Sequence, residues 1–113
     1  MNSTPMVAFL SGDLMFASKI KGAATSAGLG FHFGGGLPSE NTSQIKFVLL
    51  DLATRSSLTD KIIAMVEEKC PGAKTIAFGP HVDTEKLEAA KQAGIQHVLS
   101  RSQLVHALPT MFS

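Results

Sequence analysis

Two aspartates in this 113-residue chain follow runs of apolar residues. Asp51 ends Ile45-Lys46-Phe47-Val48-Leu49-Leu50, and Asp13 follows Ser11-Gly12 after Met6-Val7-Ala8-Phe9-Leu10. One or two carboxylates, completed by water and phosphate oxygens, are enough to hold Mg²⁺. Asp13 also has the position of a helix N-cap, just ahead of Leu14-Met15-Phe16. A third carboxylate, Asp83, stands two residues from His81 where Thr75-Ile76-Ala77-Phe78 turns through Gly79-Pro80. An imidazole there can hydrogen-bond Asp51 or a bound anion. The plainer reading makes Asp83 a helix cap and His81 a turn residue beside the fixed φ of Pro80. Ser100 and Arg101 supply a hydroxyl and a cation at the end of the last apolar run.

Other groups carry less chemistry. A zinc site needs three or four convergent ligands, and His32, His97 and His106 fall on different segments. Gly28, Gly30 and the run Gly34-Gly35-Gly36 miss the dinucleotide-binding spacing, since position 33 is Phe, and read as turns. Cys70 precedes Pro71 at a helix end, where the dipole opposes thiolate formation. As the one cysteine it forms no intrachain disulfide, which suits a reducing compartment. Glu67, Glu68 and Lys69, and likewise Lys86, Glu88 and Lys91, read as solvated helix faces.

The elements that must position these groups follow from alternation of short apolar runs with amphipathic stretches, the pattern of a parallel sheet covered on both faces. Met6 to Leu10 reads as a buried strand. The helix after it presents Phe16, Ile20, Ala23, Ala24 and Ala27 on one face and stops at Gly28. Gly30 to Phe33 is a second strand. The stretch Gly34 to Gln44, with its glycines and Pro38, leaves no room for a full second helix, so that face is either partly uncovered or closed by a folded-back lid. Ile45 to Leu50 is a central strand. Ser57 with Asp60 resembles a capping box for a helix from Leu58 to Lys69 that buries Leu58, Ile62, Met65 and Val66 before Pro71. Thr75 to Phe78 and Ile95 to Leu99 supply two more strands, with a helix carrying Leu87, Ala90 and Ala93 between them. The last helix starts near Ser100 or Ser102, buries Leu104, Val105 and Leu108, and is interrupted or kinked at Pro109. The expectation is one domain spanning 1–113, with residues 1–5 as a disordered or extended tail.

Composition narrows the function classes. Ten Lys+Arg against nine Asp+Glu give a formal charge of +1 without clustering, so neither nucleic acid nor an anionic membrane is a favoured partner. With 44% hydrophobic and 17% charged residues the chain is globular in composition. The absence of Trp and Tyr removes the usual stacking platforms for bases. The start lacks the features of a signal peptide, and no run approaches the roughly 20 apolar residues that span a bilayer, so a soluble, cytoplasmic protein is expected.

The order of these units, Asp51 closing the third strand, and the stretch Gln92-Ala93-Gly94-Ile95 before the fifth resemble a response-regulator receiver domain of the CheY-like group. The resemblance implies an α/β, flavodoxin-like three-layer sandwich with strand order 2-1-3-4-5 and a site at the carboxyl ends of strands one and three. It implies a phosphoacceptor at Asp51, a Mg²⁺-binding acidic pair after strand one, a Ser/Thr after strand four and a Lys after strand five. In this chain the acidic pair falls on Ser11 and Gly12, the Ser/Thr on Phe78 or Gly79, and the Lys on Ser100, followed by Arg101. Asp13 replaces one carboxylate only if the register slips by a residue.

A receiver stripped of those groups is expected to be a stand-alone, degenerate signalling or regulatory protein. It would be no enzyme, need no cofactor and act through a protein partner or by self-association, by way of the last two helices and fifth strand. Ser11, Gly12, Asp13, Asp51, Gly79, His81, Ser100 and Arg101 would form its vestigial site. An Asp51–Arg101 ion pair there would mimic a permanently set switch. Two alternatives stand beside this reading. One is an atypical phosphoacceptor using Asp51, with Asp13 as a Mg²⁺ ligand and Arg101 in place of Lys. The other is a flavodoxin-like domain holding a small anion among Gly12, Gly79, His81 and Arg101.

Overall fold

The computed structural model describes residues 4–113. The tail expected over 1–5 lies partly outside these; Thr4 and Pro5 are exposed and outside regular structure, although the Pro5 carbonyl accepts a 2.8 Å hydrogen bond from Gly30 N–H. Five parallel strands, β1 (Met6–Leu10), β2 (Gly30–Gly34), β3 (Ile45–Asp51), β4 (Lys74–Gly79) and β5 (His97–Ser100), form one sheet in the order β2-β1-β3-β4-β5. The helices are α1 (Leu14–Ser26), α2 (Leu52–Arg55), α3 (Ile62–Lys69), α4 (Thr84–Gln92) and α5 (Arg101–Met111).

Strand alternation divides the core in two. Val7 and Phe9 of β1 join Phe16, Ile20, Phe78, Leu104 and Leu108 under α1 and α5, while Ala8 and Leu10 join Val48, Leu50, Ile62 and Val66 on the opposite face. With apolar residues on both sides, β1 and β3 are committed to the centre of the sheet. Phe9 is fully buried, with its ring 5.8–6.4 Å from those of Phe16, Phe31, Phe33 and Phe78.

No full helix joins β2 to β3; the connection holds only a 3-10 turn at Thr42–Gln44. On β2 the residues facing this side are Gly30, His32 and Gly34, since His32 pairs with Ala8. These expose little apolar surface. The loop folds back over what remains: His32 Nε2–H donates to the Gly36 carbonyl at 3.0 Å, and Leu37 packs onto the core. Of the two expectations for this segment, the folded-back lid is the one formed.

Several boundaries differ from the sequence reading. The capping box Ser57/Asp60 is not formed; α3 begins at Ile62 behind Lys61, with no side-chain cap. The chain turns helical directly after β3, because the Asp51 carboxylate caps α2 by accepting from Ala53 N–H at 3.0 Å, and a 3-10 turn at Ser56–Leu58 then delays α3. Asp83 holds the N-cap position of α4 but makes no cap hydrogen bond, its carboxylate lying 3.6 Å from Lys86 Nζ instead. Val105 is not buried but 37% exposed on α5. Pro109 does not interrupt that helix, which continues to Met111.

Candidate functional site

At the carboxyl edge of the sheet, the sequence places a carboxylate where β3 enters α2 and a hydroxyl where β1 enters α1. Asp51 is 1% exposed and Ser11 2%. A carboxylate this deep requires donors, and it has three. Ser11 Oγ–H donates to Asp51 Oδ2 at 2.7 Å, Thr54 Oγ1–H donates to the same oxygen at 2.9 Å, and Ala53 N–H donates to Oδ1. Each hydroxyl in turn accepts a backbone N–H from the loop after β1: Asp13 N–H to Ser11 Oγ at 2.8 Å, and Gly12 N–H to Thr54 Oγ1 at 2.9 Å. The Ser11 N–H donates to the Gly34 carbonyl at 2.9 Å, which ties in the end of β2. Two hydroxyls therefore bridge the β1 loop to Asp51.

Asp13 is the N-cap of α1, accepting from Phe16 N–H at 3.0 Å. Its other oxygen takes Arg101 Nη2–H at 3.1 Å, and the Arg101 guanidinium lies 4.1 Å from the centroid of the Phe16 ring. The cap hydrogen bond from Phe16, followed by that from Arg101, holds the Asp13 carboxyl below its ordinary value of 3.8. A depressed acid pKa contributes stability in full above the unfolded value and loses it as pH falls through the folded one. Asp13→Asn is accordingly expected to unfold more easily than the unmodified chain at neutral pH, with the gap closing below about pH 4, as followed by urea denaturation across a pH series.

Arg101 is paired with Asp13, so the Asp51–Arg101 ion pair that would mimic a permanently set switch is not formed among the described residues. Ser100 caps α5 in a reciprocal capping box with Gln103. Gly79 ends β4 buried, and a Cβ there would touch Leu52. His81 is exposed in the turn before α4 and makes none of the hydrogen bonds to Asp51. The eight residues therefore split into a cluster of Ser11, Gly12, Asp13 and Asp51, with Arg101 joined through Asp13, and a separate rim of Gly79, His81 and Ser100. Among the described residues no group of three His, Cys, Asp or Glu converges as a metal site. The Cys70 thiol is buried and its pKa is raised by that burial, away from the range of a nucleophile.

Thr54 and Arg55 belong to this cluster, although neither stands out in the sequence as a site residue. Arg55 donates to the Thr54 carbonyl at 3.1 Å and lies across two glycines. A Cβ on Gly35 would meet its guanidinium at 3.2 Å, and one on Gly12 at 3.5 Å. The available signal was the spacing Asp51-Leu52-Ala53-Thr54, a carboxylate followed three residues later by a hydroxyl at a helix start.

No protein-family model matches the chain, and no curated protein does. Solved structures do. A response regulator from Thermotoga maritima superposes with a TM-score of 0.67 at 16% identity, covering 94% of this chain and 92% of its own. The fold is that of a CheY-like receiver domain. A receiver domain protein from Methanospirillum hungatei gives a TM-score of 0.66 at 12% identity over 96% of this chain and 94% of its own. A candidate pilus assembly protein from Burkholderia thailandensis gives 0.64 at 16% identity over 93% and 92%. At these identities the likeness is one of fold. Within this receiver fold the chain carries hydroxyls, Ser11 and Thr54, as the partners of its strand-three aspartate.

Proposed function

We propose that this chain is a receiver-like signalling module that works by binding a protein partner and does not use Mg²⁺-dependent phosphotransfer. The observation that carries the reading is the satisfied, 1%-exposed Asp51 carboxylate, whose oxygens already accept three hydrogen bonds. An in-line attack on a phosphodonor needs a free, accessible oxygen and a cation beside it. The nearest second carboxylate, Asp13, is engaged by Arg101 and the α1 N-terminus. The donor set therefore does not suit Mg²⁺, which prefers carboxylates free to complete an octahedron with water. The reading is of a non-enzymatic protein that requires no cofactor, and it is supported by the prior engagement of both the Asp51 and Asp13 carboxylates. Among the described residues no helix is long and apolar enough to cross a membrane. A cytoplasmic setting is part of the reading, supported by the lone, buried Cys70 thiol.

The test is incubation with acetyl phosphate and Mg²⁺, followed by intact-mass measurement. The expected result is no added phosphoryl group. An adduct that disappears in Asp51→Asn would instead make the chain an atypical phosphoacceptor.

A further inference from the structure

The strand β2, Gly30-Phe31-His32-Phe33-Gly34, pairs with β1 on one side and, among the described residues, with no strand on the other. Its bonds to β1 fix which backbone groups face outward. Gly30 N–H donates to the Pro5 carbonyl at 2.8 Å, and the Gly34 carbonyl accepts from Ser11 N–H at 2.9 Å, so Gly30, His32 and Gly34 direct their backbone groups at β1. These directions alternate along a strand, so Phe31 and Phe33 direct their N–H and C=O groups at the open edge. None of these groups has a partner among the described residues.

Natural sheet edges are commonly blunted by a charge, a proline or a bulge. β2 has none of these: no Lys, Arg, Asp or Glu occurs from Gly22 to Ser39, the strand holds no proline, and its register with β1 runs without a shift. The strand also reads the same in both directions. Laid antiparallel against a second copy about a two-fold axis at His32, Phe31 stands opposite Phe33 of that copy, and Phe33 opposite its Phe31. Because the phenylalanines carry the outward groups, both are hydrogen-bonded pairs. His32 meets its own counterpart as the non-bonded pair between them, and Gly30 meets Gly34 with no side chains to clash. Phe31 and Phe33 are half-buried at the rim of the aromatic cluster, 6.4 and 5.8 Å from the Phe9 ring, and the pairing sets them beside each other across the axis. The opposite edge, His97-Val98-Leu99-Ser100, has no such symmetry.

We infer that the free edge of β2 is a homodimer contact, through which two copies of this chain join antiparallel into one continuous sheet. The two-fold contact is isologous and uses up the edge that forms it. A formal charge of +1 per chain puts little repulsion between the copies. The contact lies away from the α4–β5 side that the receiver resemblance implied, and it stands independently of the phosphotransfer reading.

The test is sedimentation equilibrium of the full chain from about 10 µM to 1 mM, the range suited to a contact this small. An isotope-filtered NOE measurement on an equal mixture of labelled and unlabelled protein locates the contact. The expected result is a monomer–dimer equilibrium with a dissociation constant on the order of 100 µM. An NOE should join the His32 Hα protons of the two copies, which a non-bonded antiparallel pair brings together. Amide exchange at Phe31 and Phe33 should slow as concentration rises. Phe33→Pro removes an outward N–H on the free side of an edge strand, where proline is tolerated, and should leave the chain monomeric throughout. A native chain that stays monomeric to the top of the range, a dimer whose NOEs lie elsewhere, or a dimer retained by folded Phe33→Pro would overturn the inference. If Phe33→Pro does not fold, the NOE in the native chain decides alone. Labelling by acetyl phosphate does not depend on any of these outcomes, so failure here is distinguishable from failure of the functional reading.

Discussion

Ser11→Asp is expected to destabilise the fold by about 3 kcal/mol in the absence of divalent metal, and to make its stability respond to Mg²⁺. In the native chain Ser11 Oγ–H donates to Asp51 Oδ2 at 2.7 Å, with both residues almost wholly buried. Aspartate at that position replaces the donor with an acceptor and brings a second carboxylate against the first. Burying an uncompensated charge costs several kcal/mol, and like charges at contact distance add to it. A divalent cation between the two carboxylates would offset that repulsion. At ten times its dissociation constant it would return about 1.4 kcal/mol. Urea midpoints measured with and without Mg²⁺ test this. The unmodified chain should be indifferent to the metal, and a Ser11→Asp variant as stable as the native chain in EDTA would show that the hydroxyl bridge is not what satisfies Asp51.

Phe9→Ala should cost about 3–5 kcal/mol, a large fraction of the total stability of a domain this size. Phe9 is 0% exposed and its ring lies at the junction of β1, β2, β4 and α1. Five rings meet there, so truncation leaves a cavity that stiff aromatic neighbours cannot collapse to fill. Denaturant unfolding should show the midpoint falling with little change in slope. A loss below about 1 kcal/mol would mean that the Phe cluster repacks freely and that β1 is not the centre of the core.

The fold is legible because its central strands are short, apolar on both faces and separated by unambiguous breaks. Met6–Leu10 and Ile45–Asp51 admit no other assignment once α1 and its stop at Gly28, where φ is +78°, are in place. The segment after Asp51 was less legible. Ala53 to Ser57 has no apolar side chain larger than alanine and so looks like a polar turn, yet the Asp51 carboxylate starts a helix over Leu52–Arg55 by capping it. Local polarity hid a structure imposed by a buried acid.

The same limit applied to the site. Asp51, Ser11 and Asp13 could be found from their places at strand ends, but which acid takes Arg101 depends on side-chain reach. Asp13 lies on the α1 side with Phe16, whose ring face also receives the guanidinium. Asp51 is already satisfied from its own helix and from the β1 loop. Helical spacing beside Leu104 and Leu108 predicts Val105 as core, but the small α1 residues beside it, Gly22, Ala23 and Ser26, leave it exposed.

The most direct test of the central claim is an NMR titration of the isotope-labelled chain with Mg²⁺ and then beryllofluoride, a mimic of the phosphoryl group. The account predicts no shift at Ser11, Asp51 or Thr54 at millimolar metal, and none in β5 or α5 when beryllofluoride follows. Saturable shifts that begin at Asp51 and spread to β5 and α5 would contradict it and establish a working phosphoryl switch.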